Sequence, residues 1–387
     1  MMLGLLLARA GVDVAVLEKH ADFFRDFRGD TVHPSTLQVM DELGLLDDLL
    51  KIPHSEVREL SGRIGDDWVR VVQFDKVPGR CKFVAFMPQW DLLNFLAEHA
   101  RNYSTFRLMM QTEAIDLIRQ SDRVTGVRIK TAQGEDAITA DLVVGCDGRH
   151  STLRACAGLR VIDVGTPIDA LWFRISKAPG DPGQTFGNIV PGGILVTLDR
   201  RDYYQCAFII RKGGFEEMQA RGIETFREDV ARLAPFLRDR TGEITQWSDV
   251  KLLTVKIDRL EQWYLNGLLC IGDAAHAMSP VGGVGINLAV QDAVAAANVL
   301  AEPLRHGSVT VGHLRAVQRR REFPTKVTQW LQMEIQNQVL NRVLNARDNF
   351  PTPAPLHWLD KSAFLRRIPA RIIGVGVRPE HVRSPVA

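Results

Sequence analysis

The stretch Leu268-Leu-Cys-Ile-Gly-Asp273-Ala-Ala-His276-Ala-Met-Ser-Pro280-Val-Gly-Gly-Val-Gly285-Ile-Asn287 decides how this chain is read. It begins as an unbroken apolar run, the pattern of a strand covered on both faces in a parallel sheet. At the tip stands a carboxylate, Asp273, where open α/β sheets bind ligands. The glycines that follow bare backbone N–H groups at the start of an Ala-rich helix, Asn287 to Leu300. Such a helix start favours an electron-rich group. A purely structural glycine turn would not need the acid as well.

Two other segments repeat this logic. Leu142-Val-Val144 is a second apolar strand, and it runs into Gly145-Cys-Asp147-Gly148-Arg149-His-Ser151-Thr-Leu-Arg154. Ser151 has the position of a helix cap there. A capped turn explains the Asp-Gly pair but not the two arginines beside it. Near the amino terminus, Leu3 to Ala10 predicts a helix of strong formers, with Gly11 placed for a left-handed cap. Val12 to Leu17 alternates as a strand does and ends at Glu18, an acid suited to a ribose diol.

Between these blocks the pattern changes. A polar loop (Phe23 to Pro34) precedes a helix, Ser35 to Leu43, and Gln89-Trp90 precedes another, Asp91 to Arg101. Ile115 to Val144 reads as a β-meander with turns at Ser121-Asp122 and Gln133-Gly134. Strand-like runs at Leu171 to Ile175, Ile194 to Leu198 and Tyr203 to Ile210 form a different layer, followed by amphipathic helices around Ile223 to Leu233. One long helix is expected from Leu314 to Asn345. The class is therefore α/β with α+β character, a Rossmann-like layer interrupted by an antiparallel sheet. The expected units are 1–165, 166–258, 259–350 and a tail at 351–387.

Composition narrows the function. The 387 residues carry 48 Lys plus Arg against 46 Asp plus Glu, a net charge of +2, so no broad field points to nucleic acid. The five cysteines are scattered without a Cys-x-x-Cys pair, which argues against a disulfide framework or structural zinc and for a reducing, cytoplasmic setting. The apolar run at Met1 to Ala10 has no positive segment before it and is interrupted by Arg9, so it does not read as a signal peptide. With no apolar stretch near the ~20 residues needed to cross a bilayer, no integral membrane segment is expected. Arg319-Arg320-Arg321 and the basic tail from Arg366 to Arg383 read as solvated surface, with weak contact to an anionic membrane left open.

The three acid-bearing blocks resemble the group A flavoprotein monooxygenases, the fold of para-hydroxybenzoate hydroxylase and related FAD-dependent aromatic hydroxylases. The likeness runs from residue 1 to at least Arg321. It implies an FAD-binding layer in two parts around a substrate domain, with a helical C-terminal region. It also implies FAD as cofactor, NAD(P)H and O2 as co-substrates, and transfer of one oxygen atom from a flavin hydroperoxide to a small aromatic or polyketide-like molecule. Carried over residue by residue, Glu18 would bind the adenosine ribose. Arg28 and Gln89 would reach the pyrophosphate and ribityl region, and Asp147 would serve FAD and, indirectly, the nicotinamide nucleotide. Asp273 would hold the ribityl or pyrophosphate region, Pro280 would lie beside the ring, and Gly285, Ile286 and Asn287 would approach it through backbone groups. The family's Gly-x-Gly-x-x-Gly is not in the chain. The spacing of Gly4 and Glu18 puts its last glycine immediately before Met1, so the first strand and phosphate loop are expected upstream. The alternatives are a truncated product without activity, or a flavin-dependent reductase on the same scaffold.

His33, Tyr203, Tyr204 and His276 are given structural roles, since nothing in their spacing indicates a partner. No metal-ligand spacing occurs, and no Trp-x-Trp pair of the flavin halogenase kind lies near Trp247 or Trp263. The catalytic residues, the substrate and the choice between NADH and NADPH have no code in the sequence, and a homodimer is left open.

Overall fold

In the computed structural model, the residues described are 1–24, 31–65, 67–182, 186–200, 202–346 and 354–387. The first helix, Met2–Arg9, is buried from Met2 through Ala8. A helix apolar all round belongs in a core. It packs against helices Gln89–Ala100 and Gly285–Arg305 and against the strand Val14–Glu18. Gly4 permits that approach, because a Cβ there would stand 2.6 Å from Val16 Cγ2 and 3.1 Å from the Phe106 ring.

Two parallel pairs carry the acids. Val14–Glu18 runs parallel to Phe106–Met110. Val143–Gly145 runs parallel to Leu268–Cys270, with Gly145 opposite Cys270. Because parallel strands end on the same side, Asp147 and Asp273 leave the sheet at one edge although the sequence separates them widely. Residues 113–139 form the expected meander, strands Glu113–Gln120, Arg123–Thr131 and Gly134–Thr139 paired antiparallel. Among the described residues, Val281–Arg305 is long and apolar enough to cross a bilayer, an exception to the sequence expectation; most of it is buried as the central core helix.

The second layer is a seven-stranded sheet centred on Ile168–Ser176, Tyr203–Arg211, Gly193–Asp199 and Phe186–Val190. It is not built from one contiguous segment. Glu59–Ile64 pairs parallel with Phe186–Val190, and Asp67–Gln73 forms the outer strand beyond it. One face buries Leu171, Phe173, Leu195, Tyr204 and Phe208 under Phe226, Val230 and Leu233 of helix Ile223–Leu233. On the opposite face Ile168, Ala170, Ile194 and Ile209 form a cluster to which Val281, from the glycine loop, is packed. The second layer therefore packs against the loop after Pro280.

The long C-terminal helix differs from expectation. It spans Val311–Ile335, then widens into a π turn at Gln336–Leu340 before a short helix, Asn341–Asn345. At the break Gln336 is fully buried, and its side-chain oxygen accepts from Thr166 Oγ1 at 2.6 Å. π turns of this kind relieve a helix that must redirect its side chains. Helices Ala354–Lys361 and Ala363–Gly374 pack on strand Asp67–Gln73. The final residues return to the first helix, where Ala387 N donates to Arg9 O at 3.0 Å.

Candidate functional site

The turn that presents Asp273 is fixed from beneath. Gly272 has a left-handed backbone (φ 58°), and its N–H donates to Asp292 Oδ2 at 3.0 Å. Asp292 lies in the core helix, wholly buried, and also meets His276 Nε2 at 2.6 Å and Arg321 Nε at 2.9 Å. Burial pushes this carboxyl's pKa up, but His276 and Arg321 together outweigh it and hold the group below the usual carboxylate range. A buried charge persists only when paired in this way. Arg321 lies in turn 3.8 Å from Glu380, which also binds Arg320 at 2.7 Å.

The glycine loop is held from the side. Gly282 and Gly283 take left-handed conformations (φ 81° and 64°). The Gly283 carbonyl accepts from Thr31 Oγ1 at 2.8 Å and lies 3.0 Å from His33 Nε2. That contact requires the His33 ring to carry its proton on Nε2. Burial drives the His33 pKa down to about 4, so the ring is neutral at pH 7. One step further, Asn287 Oδ1 accepts from Ser35 Oγ at 2.5 Å and Thr36 Oγ1 at 3.0 Å. The start of helix Gly285–Arg305 has no side-chain cap. Its first-turn N–H groups, at Gly285, Ile286 and Asn287, are those a helix leaves for an external acceptor.

Asp147 is engaged differently. Its Oδ1 accepts from Ser151 Oγ at 2.5 Å and its Oδ2 from Leu153 N at 3.1 Å, while Ser151 Oγ accepts from Arg154 N at 3.0 Å. The acid thus braces its own turn, and the residue stays exposed. Arg154 is buried against Asp258 at 3.2 Å and donates to the Ala274 carbonyl at 3.4 Å, tying this segment to the Asp273 turn. Glu18 accepts from His20 N at 2.9 Å. Burial lowers the pKa of the Met1 amino group, against an opposing pull from the Glu18 carboxylate.

The sequence-derived residues therefore fall into three groups. Asp147 and Asp273 follow the same end of one parallel strand pair, Pro280, Gly285, Ile286 and Asn287 lie on the loop and helix start after it, and Glu18 ends the separate pair with Phe106–Met110. Gln89 stands in the first turn of helix Gln89–Ala100, behind Pro88, without a hydrogen bond to the others among the described residues. Arg28 lies outside the described residues. One reading needs correction: Arg321 is not solvated surface but is buried on Asp292, because an acid twenty-nine residues earlier meets it in the folded state. Arg366, assigned to the basic tail, is likewise buried and donates to the Leu359 and Asp360 carbonyls.

Sequence reasoning missed Asp292, Thr31, Ser35 and Thr36. Asp292 had a signal, since a lone acid inside Val290-Gln-Asp-Ala-Val-Ala-Ala-Ala297 must have a partner if the helix is buried. The residues present fit a flavin dinucleotide. An acid at a strand tip would suit a ribose, and an uncapped glycine-rich helix start would suit an electron-rich group of the cofactor. The approach at Gly283 is tight, since a Cβ there would meet Thr31 Oγ1 at 2.6 Å.

Comparison with known proteins agrees with this geometry. Residues 1–331 match the FAD binding domain family. A 6-methylpretetramide 4-monooxygenase of Streptomyces rimosus is 32% identical over 334 residues, covering 84% of this chain and 78% of its own length. A rifampicin monooxygenase of Streptomyces venezuelae is 28% identical over 302 residues, covering 75% of this chain but only 60% of its own length. Among solved structures, PqsL of Pseudomonas aeruginosa, described as a probable FAD-dependent monooxygenase, has a TM-score of 0.75 at 22% identity and covers 89% of this chain and 94% of its own. OxyS, an anhydrotetracycline hydroxylase from Streptomyces rimosus, has a TM-score of 0.73 at 20% identity, covering 96% and 73%. At such identities the two structures show the fold. The sequence matches show more: this chain belongs to the FAD binding domain family, among the FAD-dependent monooxygenases.

Proposed function

We propose that this enzyme uses NAD(P)H and O2 to hydroxylate an electron-rich, polyketide-like aromatic molecule, with FAD seated along the edge formed by Glu18, Asp147, Asp273 and the Gly285–Asn287 helix start. The observation that carries this reading is the parallel pairing of Val143–Gly145 with Leu268–Cys270, which delivers two acids to the head of an uncapped helix. When bound, the flavin supplies electron transfer and oxygen activation.

The chain's own residues bind, orient and exclude water. The positive end of helix Gly285–Arg305 favours negative charge developing on whatever its N–H groups face. Asp292 fixes the turn so that Asp273 presents a carboxylate at a set position. His33, neutral and donating from Nε2 to the Gly283 carbonyl, holds the loop and takes up no second proton near pH 7. The half-buried Val281 packs the glycine loop onto the apolar cluster of the second sheet. This reading includes a cytoplasmic setting, where NAD(P)H is supplied, and leaves a homodimer as a matter for sedimentation.

The test is direct. Purified protein titrated with FAD should quench flavin fluorescence with 1:1 stoichiometry. With NAD(P)H present, oxygen uptake should rise on adding a phenolic substrate, which should gain one oxygen atom by mass spectrometry. Oxygen uptake indifferent to any aromatic would support the reductase reading instead.

A further inference from the structure

Helix Ala363–Gly374 rests on strand Asp67–Gln73, with Arg366, Ala370 and Gly374 buried on its inner side. On its outer side Phe364, Ile368 and Ile372 recur at four-residue spacing and are 69%, 53% and 37% exposed. Positions four apart share one helix face, so the three form a single stripe about 12 Å long. The preceding helix, Ala354–Lys361, leaves Trp358 62% exposed as well. Single apolar residues on a surface need no reason, but several aligned on one face mark an interaction site.

The charge around the stripe has one sign. Lys361, Arg367 and Arg371 are exposed at its margin, and none has a carboxylate partner among the described residues. From 354 to 387 the acids are Asp360 and Glu380, and both are already engaged, Asp360 by Arg70 and Glu380 by Arg320. Large apolar side chains on a helix lying along the surface, bordered by cations, form the pattern of a segment that enters a membrane interface in its plane. The face is also convex. A protein partner would have to offer an acid-rimmed groove of matching shape, whereas a soft anionic bilayer meets both the apolar line and the cations without one.

We propose that helix Ala363–Gly374 docks on an anionic lipid bilayer, with Phe364, Ile368 and Ile372 entering the acyl boundary and Lys361, Arg367 and Arg371 on lipid phosphates. The contact is peripheral, since the stripe is far shorter than a bilayer core. On the same helix Ile373 packs on Met278, Val284 and Leu288, the residues that border the glycine loop. One helix thickness, about 10 Å, therefore separates the docked face from that loop. Docking would hold the loop close to the lipid, where apolar small molecules concentrate. The proposal goes beyond the monooxygenase reading and does not depend on it.

The test is co-sedimentation of the full chain with vesicles of phosphatidylcholine, either alone or with about one-third phosphatidylglycerol. The parent should pellet with the anionic vesicles and not with the neutral ones, and raising salt from about 0.1 to about 0.5 M should release it. Phe364→Ser with Ile368→Ser should weaken binding about tenfold or more, and Arg367→Gln with Arg371→Gln should do likewise. Both pairs are exposed, so far-ultraviolet circular dichroism and FAD affinity should match the parent. The proposal is overturned if the parent ignores anionic vesicles, if it binds both vesicle types alike, or if either double variant binds as the parent does. Sedimentation velocity without vesicles reads the rival occupant: a monomer is expected, and a dimer that Phe364→Ser with Ile368→Ser dissociates would assign the stripe to a second copy of this chain and overturn the lipid reading.

Discussion

The two ends of the proposed flavin edge, a ring end and a nucleoside end in that proposal, are built on opposite principles. At the ring end, each functional segment is held by residues remote in the chain: Gly283 by Thr31 and His33, Asn287 by Ser35 and Thr36, the Asp273 turn by Asp292 and, through it, Arg321. At the nucleoside end, the acids bind their own neighbourhoods, Glu18 to His20 and Asp147 to Ser151 and Leu153. The ring end therefore exists only when the whole molecule is folded, and its geometry is inseparable from global stability. Acids at the nucleoside end can change without disturbing the core. Substitutions should separate these behaviours.

The largest effect is expected at Asp292. Asp292→Ala leaves buried Arg321 with only the more distant Glu380 and strips His276 Nε2 and Gly272 N of their acceptor, which should cost about 3–5 kcal/mol in urea unfolding. Asp292→Asn should fall between it and the parent. A loss below about 1 kcal/mol in Asp292→Ala would break the contrast, since the ring end would then be no more tied to the core than the nucleoside end.

Next in size is a pH effect. His33 has its folded pKa depressed to about 4 from an ordinary 6.5, so the unfolded chain binds the extra proton between those values. Its contribution to stability is complete above about pH 6.5 and is lost as pH falls toward 4. The loss should approach about 3.4 kcal/mol, from the drop from 6.5 to about 4 at roughly 1.36 kcal/mol per pH unit. His33→Gln should flatten the stability profile across that window in chemical denaturation at fixed pH steps. An unchanged slope would place the titration elsewhere.

A smaller change is expected from Ser35→Ala with Thr36→Ala, which leaves Asn287 Oδ1 without its two donors; about 1–3 kcal/mol should be lost, with weaker FAD retention. Smallest of all, Glu18→Gln should alter stability by no more than about 0.5 kcal/mol while weakening FAD binding. Should Glu18→Gln unfold the protein, the nucleoside end would be as structural as the ring end.

This contrast also explains what could be read from the sequence. Strands ending at Glu18, Asp147 and Asp273 are local patterns, each an apolar run followed by an acid, and they were legible. So was the Ala-rich helix after the glycines, and Gly4 as the point of close helix-to-strand contact. The supports were not legible, because they depend on which distant residue arrives. Arg321 sits in a run of three arginines that any local reading assigns to solvent, and only Asp292 across the helix pair removes it from water. Likewise nothing local in Glu59–Ile64 or Asp67–Gln73 signals that these segments complete the second sheet. The long helix was seen, but its widening at Gln336–Leu340 answers to Thr166, far away in sequence. Pattern revealed the elements and the acids; packing alone revealed what holds them.

Cys146 offers the sharpest probe of the central claim, that FAD lies across the tips of the two acid-bearing strands. The Cys146 residue is exposed beside Asp147, with its thiol pushed up to about 11 by burial so that it is alkylated at alkaline pH, whereas Cys81, Cys206 and Cys270 are buried and Cys156 is half-buried. Alkylation with iodoacetamide, followed by peptide mass spectrometry with and without saturating FAD, reads the site directly. Bound FAD should slow modification of Cys146 severalfold and leave Cys156 unchanged. Equal rates at Cys146 in the presence of demonstrably bound FAD would mean that the cofactor lies elsewhere.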